Sequence, residues 1–161
     1  MEQKKKIIGI TGGVGAGKSS VLAVLKEDFG AKIILADLVA HDLMEPGSEG
    51  LKKVTEALGT SFLDPDGSVD RKALADMIFR NKDALKTMNS IIHPLVWKTM
   101  AEAAEAAEEQ LVIIEAAVFD TAPKDLFDEL WYVYTTKENR IIRLMANRGY
   151  SREKCEDIIG R

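Results

Sequence analysis

At 161 residues, 46% hydrophobic and with a formal net charge of −4, the chain has the size of one globular domain with room for an insertion, and its acidic balance argues against nucleic acid as the main partner. No apolar run approaches the ~20 residues that span a bilayer, and the amino-terminal lysines lead into an apolar stretch too short for a signal peptide. A single cysteine, Cys155, excludes an internal disulfide and suits a reducing cytoplasm, so the expected state is a cytoplasmic monomer or weak homo-oligomer with no membrane contact.

The first element is a short β-branched run, Lys6-Ile7-Ile8-Gly9-Ile10-Thr11, of the kind that forms a buried parallel strand. Gly12-Gly13-Val14-Gly15-Ala16-Gly17-Lys18-Ser19 follows and fits the phosphate-loop pattern G-x-x-x-x-G-K-[S/T]. Such a loop turns its backbone N–H groups inward as an anion nest, its lysine reaches the terminal phosphates of a nucleotide, and its serine hydroxyl helps hold Mg²⁺. The expected ATP site is therefore Gly12, Gly13, Val14, Gly15, Ala16, Gly17, Lys18, Ser19 and Ser20, with Ser19 toward the metal. Val21, Leu22, Val24, Leu25 and Phe29 recur at helical spacing up to Gly30, so a helix aims its positive end at the same phosphates.

Residues 31–36 read as a second strand, followed by helices over 37–44 and 50–58. Asp64-Pro65-Asp66-Gly67 is a turn, and Asp70 is an N-cap for a helix over 71–80. A helix over 83–91 is expected to break at His93-Pro94, with Pro94 opening a new helix to about Glu109. Leu111–Ile114 and Leu130–Thr135 are further strands. Thr135 and Glu138 suggest a capping box for a helix to about Asn147, and Ser151 caps a last helix to Ile159. Strands alternating with helices give an α/β fold, a parallel sheet flanked by helices of the phosphate-loop kinase type. On this division 1–45 and 110–136 form the nucleotide-binding core, 46–109 a helical substrate-binding insertion, and 137–161 a lid region.

Ligands of a parallel sheet bind beyond the carboxyl ends of its strands. Asp37 stands at the end of the second strand, where a carboxylate can take the proton of an attacking hydroxyl, contact Mg²⁺ through water, or cap the next helix. His41 follows one helical turn later and shares that face. Glu115 ends the third strand, as a Mg²⁺-shell acid or as a helix cap or surface acid. Arg140, Arg143 and Arg148 supply planar donors for transferring phosphate, or form a solvated basic face; Arg148, beside Gly149, suits a mobile lid. His93 lies at a proline junction inside the insertion, as a buried hydrogen-bonding residue or a substrate contact. No His, Cys or carboxylate group has zinc spacing.

Several stretches together resemble the dephospho-coenzyme A kinase family. They are Gly9–Ser19, Ala36-Asp37-Leu38-Val39-Ala40-His41, Pro46-Gly47, Asp66-Gly67-Ser68-Val69-Asp70-Arg71, Ile92-His93-Pro94 and Arg143-Leu144-Met145-Ala146-Asn147-Arg148. They occur in family order over nearly the whole chain. The resemblance implies transfer of the ATP γ-phosphate to the ribose 3′-hydroxyl of dephospho-CoA, the last step of coenzyme A synthesis. It implies Asp37 as general base, Arg148 as the lid arginine, and Arg71 and His93 in the CoA-side subdomain. Together with the positional readings above, the expected catalytic residues are Asp37, Lys18 and Arg148, and the expected acceptor-side residues are Asp37, His41, Arg71, His93 and Glu115. Leu35 stands where the family often has an acid, and Glu115-Ala116-Ala117-Val118-Phe119 replaces its Asp-x-Pro-Leu-Leu pattern. The family pattern also runs on beyond the position of Arg161, so the domain is expected to be truncated at its carboxyl end. The competing expectations are another small-molecule or nucleoside kinase, a GTP-binding switch, and a nucleotide-binding module without turnover. Asn81-Lys82-Asp83 places its acid one position early for a guanine site.

Overall fold

A computed structural model describes residues 5–160. In chain order it contains β1 (Lys6–Gly12), α1 (Lys18–Glu27), β2 (Lys32–Leu35), α2 (Ala36–Asp42), α3 (Glu49–Leu58), α4 (Arg71–Arg80), α5 (Lys82–Ala106), β3 (Leu111–Glu115), β4 (Glu129–Val133), α6 (Lys137–Arg148) and α7 (Arg152–Ile159). Two compact units share these elements. One takes the chain up to Ile34 with Ala106–Asp120 and Lys124 onward; the other takes Leu35–Glu105 with Thr121–Pro123.

The first unit is built on a sheet of order β2-β3-β1-β4. β1 lies in the middle and runs parallel to both neighbours, with Ile8 opposite Ile113 on one side and Ile10 opposite Trp131 on the other. The β-branched runs of β1 and β3 are buried, as strands covered on both faces must be: Ile10, Val112, Ile113 and Ile114 are fully enclosed. Leu25, Ala31, Ile8, Ile10 and Ile113 form one core cluster, with Val21 and Leu22 of α1 packed against it. Gly9 faces Phe119 and Leu130 so closely that an added Cβ would come within 2.5 Å of Leu130. Phe119 and Phe127 meet edge to face, with ring centroids 5.2 Å apart. α6 and α7 pack through Ile141, Leu144 and Cys155, a free and buried thiol.

The second unit is helical apart from an isolated antiparallel bridge between Leu63 and Val69. That bridge closes the Asp64–Gly67 turn, in which Gly67 takes φ +85° and the Asp66 carboxylate accepts from the Ser68 N–H and hydroxyl. The same two bonds hold the Asp66 carboxyl below its ordinary range. Ser48 caps α3, and its hydroxyl donates to the Leu43 carbonyl at 2.6 Å. Asp70 caps α4 by accepting from the N–H groups of Lys72 and Ala73, the role its position predicts. Val54, Phe62 and Met100 are fully buried.

Three local expectations are corrected. The 83–91 helix does not end at His93-Pro94: α5 runs unbroken for 25 residues with Pro94 inside it. Proline removes one helical hydrogen bond and crowds the preceding turn. Here the flanking turns, anchored by buried Ala84, Ile92, Val96, Trp97 and Met100, hold the helix through the gap. Its carboxyl end is Ala106 and not Glu109. The cap of α6 is Thr136, which accepts from the Asn139 N–H, while Thr135 accepts from the Asn139 side chain. Among the described residues no helix is long and apolar enough to cross a membrane.

Candidate active site

The Gly12–Ser19 segment joins the end of β1 to the start of α1. Gly15 and Gly17 adopt φ of +77° and +99°, conformations open to glycine at little cost. The Ala16 N–H closes a tight turn on the Gly13 carbonyl at 3.0 Å. Gly17 is the N-cap of α1; no side chain caps that end, and its first turn holds no acid. The orphan N–H groups and the positive end of the helix are therefore left for an outside anion.

Two arginines fix the loop from behind. Arg140 donates through Nε to the Val14 carbonyl at 2.7 Å, and Arg143 donates to the carbonyls of Ala16 at 3.1 Å and Gly15 at 3.4 Å. The carbonyls of Val14, Gly15 and Ala16 are thus taken up by guanidinium donors. Gly13 is needed for this contact, since a Cβ there would lie 2.4 Å from the Arg140 guanidinium. Gly12 is confined too, because its Cβ would stand 2.5 Å from the Val133 carbonyl. The helical spacing of Arg140 and Arg143 marks them as a pair; their carbonyl targets lie more than a hundred residues away and leave no local trace.

Lys18, on the first turn of α1, forms an ion pair with Glu115 at 2.9 Å, and both side chains are largely enclosed. Glu115, the last residue of β3, accepts from the lysine at the carboxyl edge of the sheet. Ser19 is exposed on the same turn, and Ser20 borders an apolar groove with Val24, Phe29 and Trp131. Arg148 is the last residue of α6, exposed, and followed by Gly149 in the left-handed C-cap conformation.

The remaining candidates stand in the second unit. Asp37 is exposed in the first turn of α2; the N-cap there is Leu35, and no side-chain cap bond is made. Asp37 is the acidic residue of that first turn and not its N-cap. His41, one turn on, has Nδ1 3.4 Å from Glu45. Arg71 is exposed at the start of α4. His93 is exposed rather than buried and borders a cavity of about 280 Å³ with Asn89, Ser90, Pro94 and Thr121. Asn89 and Thr121 were not among the sequence candidates; only the fold brings Thr121, between β3 and β4, to α5, where it accepts from Trp97 Nε1 at 3.0 Å.

A parallel sheet whose central strand opens into a glycine loop, an uncapped helix and a half-buried lysine–glutamate pair defines a kinase of the phosphate-loop class. The sequence profile of the dephospho-CoA kinases matches residues 6–161. The chain is 38% identical over 153 residues to the dephospho-CoA kinase of Carboxydothermus hydrogenoformans, taking in 92% of this chain and 74% of the relative. It is 38% identical over 158 residues to that of Streptococcus agalactiae, with 94% and 78% covered. A solved protein from Thermus thermophilus superposes with a TM-score of 0.73 at 31% identity, over 96% of this chain and 78% of that one. The dephospho-CoA kinase from Campylobacter jejuni, 21% identical, shares the fold with a TM-score of 0.62, over 97% of this chain and 79% of that one. The chain belongs to the dephospho-CoA kinase family.

Proposed function

We propose that the chain carries out the reaction of its family in the following way: ATP binds at Gly12–Ser19 and gives its γ-phosphate to the ribose 3′-hydroxyl of dephospho-CoA, yielding ADP and coenzyme A. The observation that carries the ATP half is the uncapped amino end of α1, preceded by a glycine loop whose carbonyls accept from Arg140 and Arg143. Family membership supports the acceptor.

Lys18 leaves Glu115 for the β- and γ-phosphates, where its charge is worth most as the bridging oxygen departs with ADP. Asp37 accepts the proton of the 3′-hydroxyl as that oxygen bonds to phosphorus. Its exposed, non-capping place on α2 supports this assignment. Arg148, free at the end of α6, closes over the phosphates as they transfer. Arg71 and His41 serve the acceptor.

Among the described residues no three His, Cys, Asp or Glu side chains converge as a metal site. The donor set suits Mg²⁺ brought with the nucleotide, for that ion is commonly held by one or two protein oxygens plus substrate phosphates. Ser19 Oγ, exposed on the first turn, is the fitting protein oxygen. When bound, the ion neutralises charge on the phosphate oxygens.

The test is ADP release from Mg²⁺–ATP with and without dephospho-CoA, with the product's phosphate located by phosphorus NMR. Release that depends on the acceptor, with a 3′-phosphorylated product, is expected. Release independent of dephospho-CoA, or a phosphate at another position, overturns the assignment.

A further inference from the structure

The cavity on the proline turn of α5 contains chemistry that phosphoryl transfer does not use. Its lining is Asn89, Ser90, His93, Pro94 and Thr121, with no Lys, Arg, Asp or Glu among them. With His93 its one titratable side chain, such a wall offers no Lys or Arg fork to a phosphate or carboxylate. It offers hydrogen bonds of both signs to a neutral ligand. In an ordinary helix the N–H at position 94 would donate to the Ser90 carbonyl; Pro94 has none, so that acceptor loses its usual donor. The Ser90 hydroxyl donates to the Thr87 carbonyl at 2.7 Å. Thr121 Oγ1 is held by the Trp97 indole N–H at 3.0 Å, which leaves its own O–H proton to give. The Asn89 side-chain amide both gives and accepts.

The residues lining these roughly 280 Å³ carry a carbonyl without its helical donor, a hydroxyl proton and an amide, groups that match a chain with amide N–H and C=O groups of its own. The volume is near the lower limit of about 300 Å³ for small-ligand pockets and takes a segment of such a chain. Dephospho-CoA has two chemically different ends. Its adenosine diphosphate part is anionic and includes the reacting ribose. Its pantetheine arm is uncharged and carries amides, a hydroxyl and a thiol. We infer that the Asn89–Ser90–Thr121 cavity is the subsite for an amide of the acceptor's pantetheine arm, with Asn89 and Thr121 as specificity-determining residues. This rests on the dephospho-CoA kinase reading for the identity of the acceptor.

Pantetheine alone is the direct probe, followed by saturation-transfer NMR on the unmodified protein and on Asn89→Ala, Thr121→Val and Thr121→Ser. Pantetheine signal is expected in the unmodified protein, lost in Asn89→Ala and Thr121→Val, and kept in Thr121→Ser, which preserves the hydroxyl and the contact to Trp97. In turnover, KM for dephospho-CoA is expected to rise about three- to tenfold in the two deleted variants, the range set by one lost hydrogen bond. Their kcat and KM for ATP stay unchanged, which a folding defect would not allow. No pantetheine signal in the unmodified protein, or equal signal in all variants, overturns the subsite. Pantetheine binding at this cavity without phosphorylation of dephospho-CoA upholds the subsite and overturns the acceptor assignment.

Discussion

Lys18 is held by one carboxylate, Glu115, at 2.9 Å in a mostly enclosed place. An ammonium so confined has one partner to exchange for phosphate, and exchange requires little reorganisation because the lysine is already on the first turn of α1. Replacing it by alanine removes a charge aimed at the transition state and leaves Glu115 half-buried without its cation. Lys18→Ala is expected to lower kcat by about 10²-fold or more, ~2.7 kcal/mol or more of transition-state stabilisation, with ADP release as the measurement. Asp37 differs in kind. It is exposed, takes no cap bond, and belongs to the unit without the phosphate loop. Asp37→Asn keeps the shape and removes the base. It is expected to cut kcat by about 10²- to 10⁴-fold while the calorimetric Kd for ATP stays within error. A normal kcat in Asp37→Asn would remove the proton-acceptor role.

At the scale of elements, what the sequence made legible was local. β1, β3 and the glycine loop stand out because the β-branched runs and the Gly/Lys/Ser spacing lie within a few residues of each other. Asp70 and Ser151 cap the helices their positions predict. What stayed illegible depends on distant partners or on collective support. Arg140 and Arg143 show a helical spacing, but not the loop carbonyls they bind. Glu115 ends a strand, but nothing local couples it to Lys18. Pro94 reads as a break because the local rule counts one lost bond and one crowded turn; the 25-residue helix persists because buried residues on both sides hold it. That helix therefore carries an unrelieved local cost. Pro94→Ala is expected to restore the bond to the Ser90 carbonyl and raise the unfolding free energy by up to about 3 kcal/mol, read as a higher urea midpoint with unchanged m. The same change should raise KM for dephospho-CoA, because the carbonyl is taken. α6 and α7 are joined by a different contact, Arg152 with Glu138. The arginine's hydrogen bonds, then its charge, hold the Glu138 carboxyl below its ordinary 4.5. A carboxyl lowered in the folded state stabilises fully above the unfolded value and ceases to do so as pH falls through the folded one. Glu138→Gln should thus lower Tm slightly near neutral pH, the pair being exposed, and the difference from the unmodified protein should vanish well below pH 4.5.

For the whole molecule, the two compact units carry different chemistry. Lys18, Ser19, Glu115 and Arg148 lie in one, and Asp37, His41, Arg71, His93 and the polar cavity lie in the other. A kinase of this class can divide its substrates this way because the donor's recognition is mostly triphosphate, which a glycine loop and a helix end satisfy, whereas an acceptor with a long uncharged arm needs side-chain hydrogen bonds along that arm. Ligands that bind only the folded state slow local opening where they bind, by an amount set by their concentration over Kd, about 2.7 kcal/mol at a hundredfold excess. Hydrogen exchange should therefore separate the two substrates. Mg²⁺–ATP alone is expected to protect the amides of 12–20 and the first turns of α1, leaving the middle of α5 unchanged. Dephospho-CoA alone is expected to protect α5 around Asn89–Val96 and to leave the glycine loop as it was. Pantetheine should reproduce only the α5 part. If dephospho-CoA protected the glycine loop and not α5, the acceptor would be held by its phosphates at the donor's site, and the division of substrates between the units would be wrong.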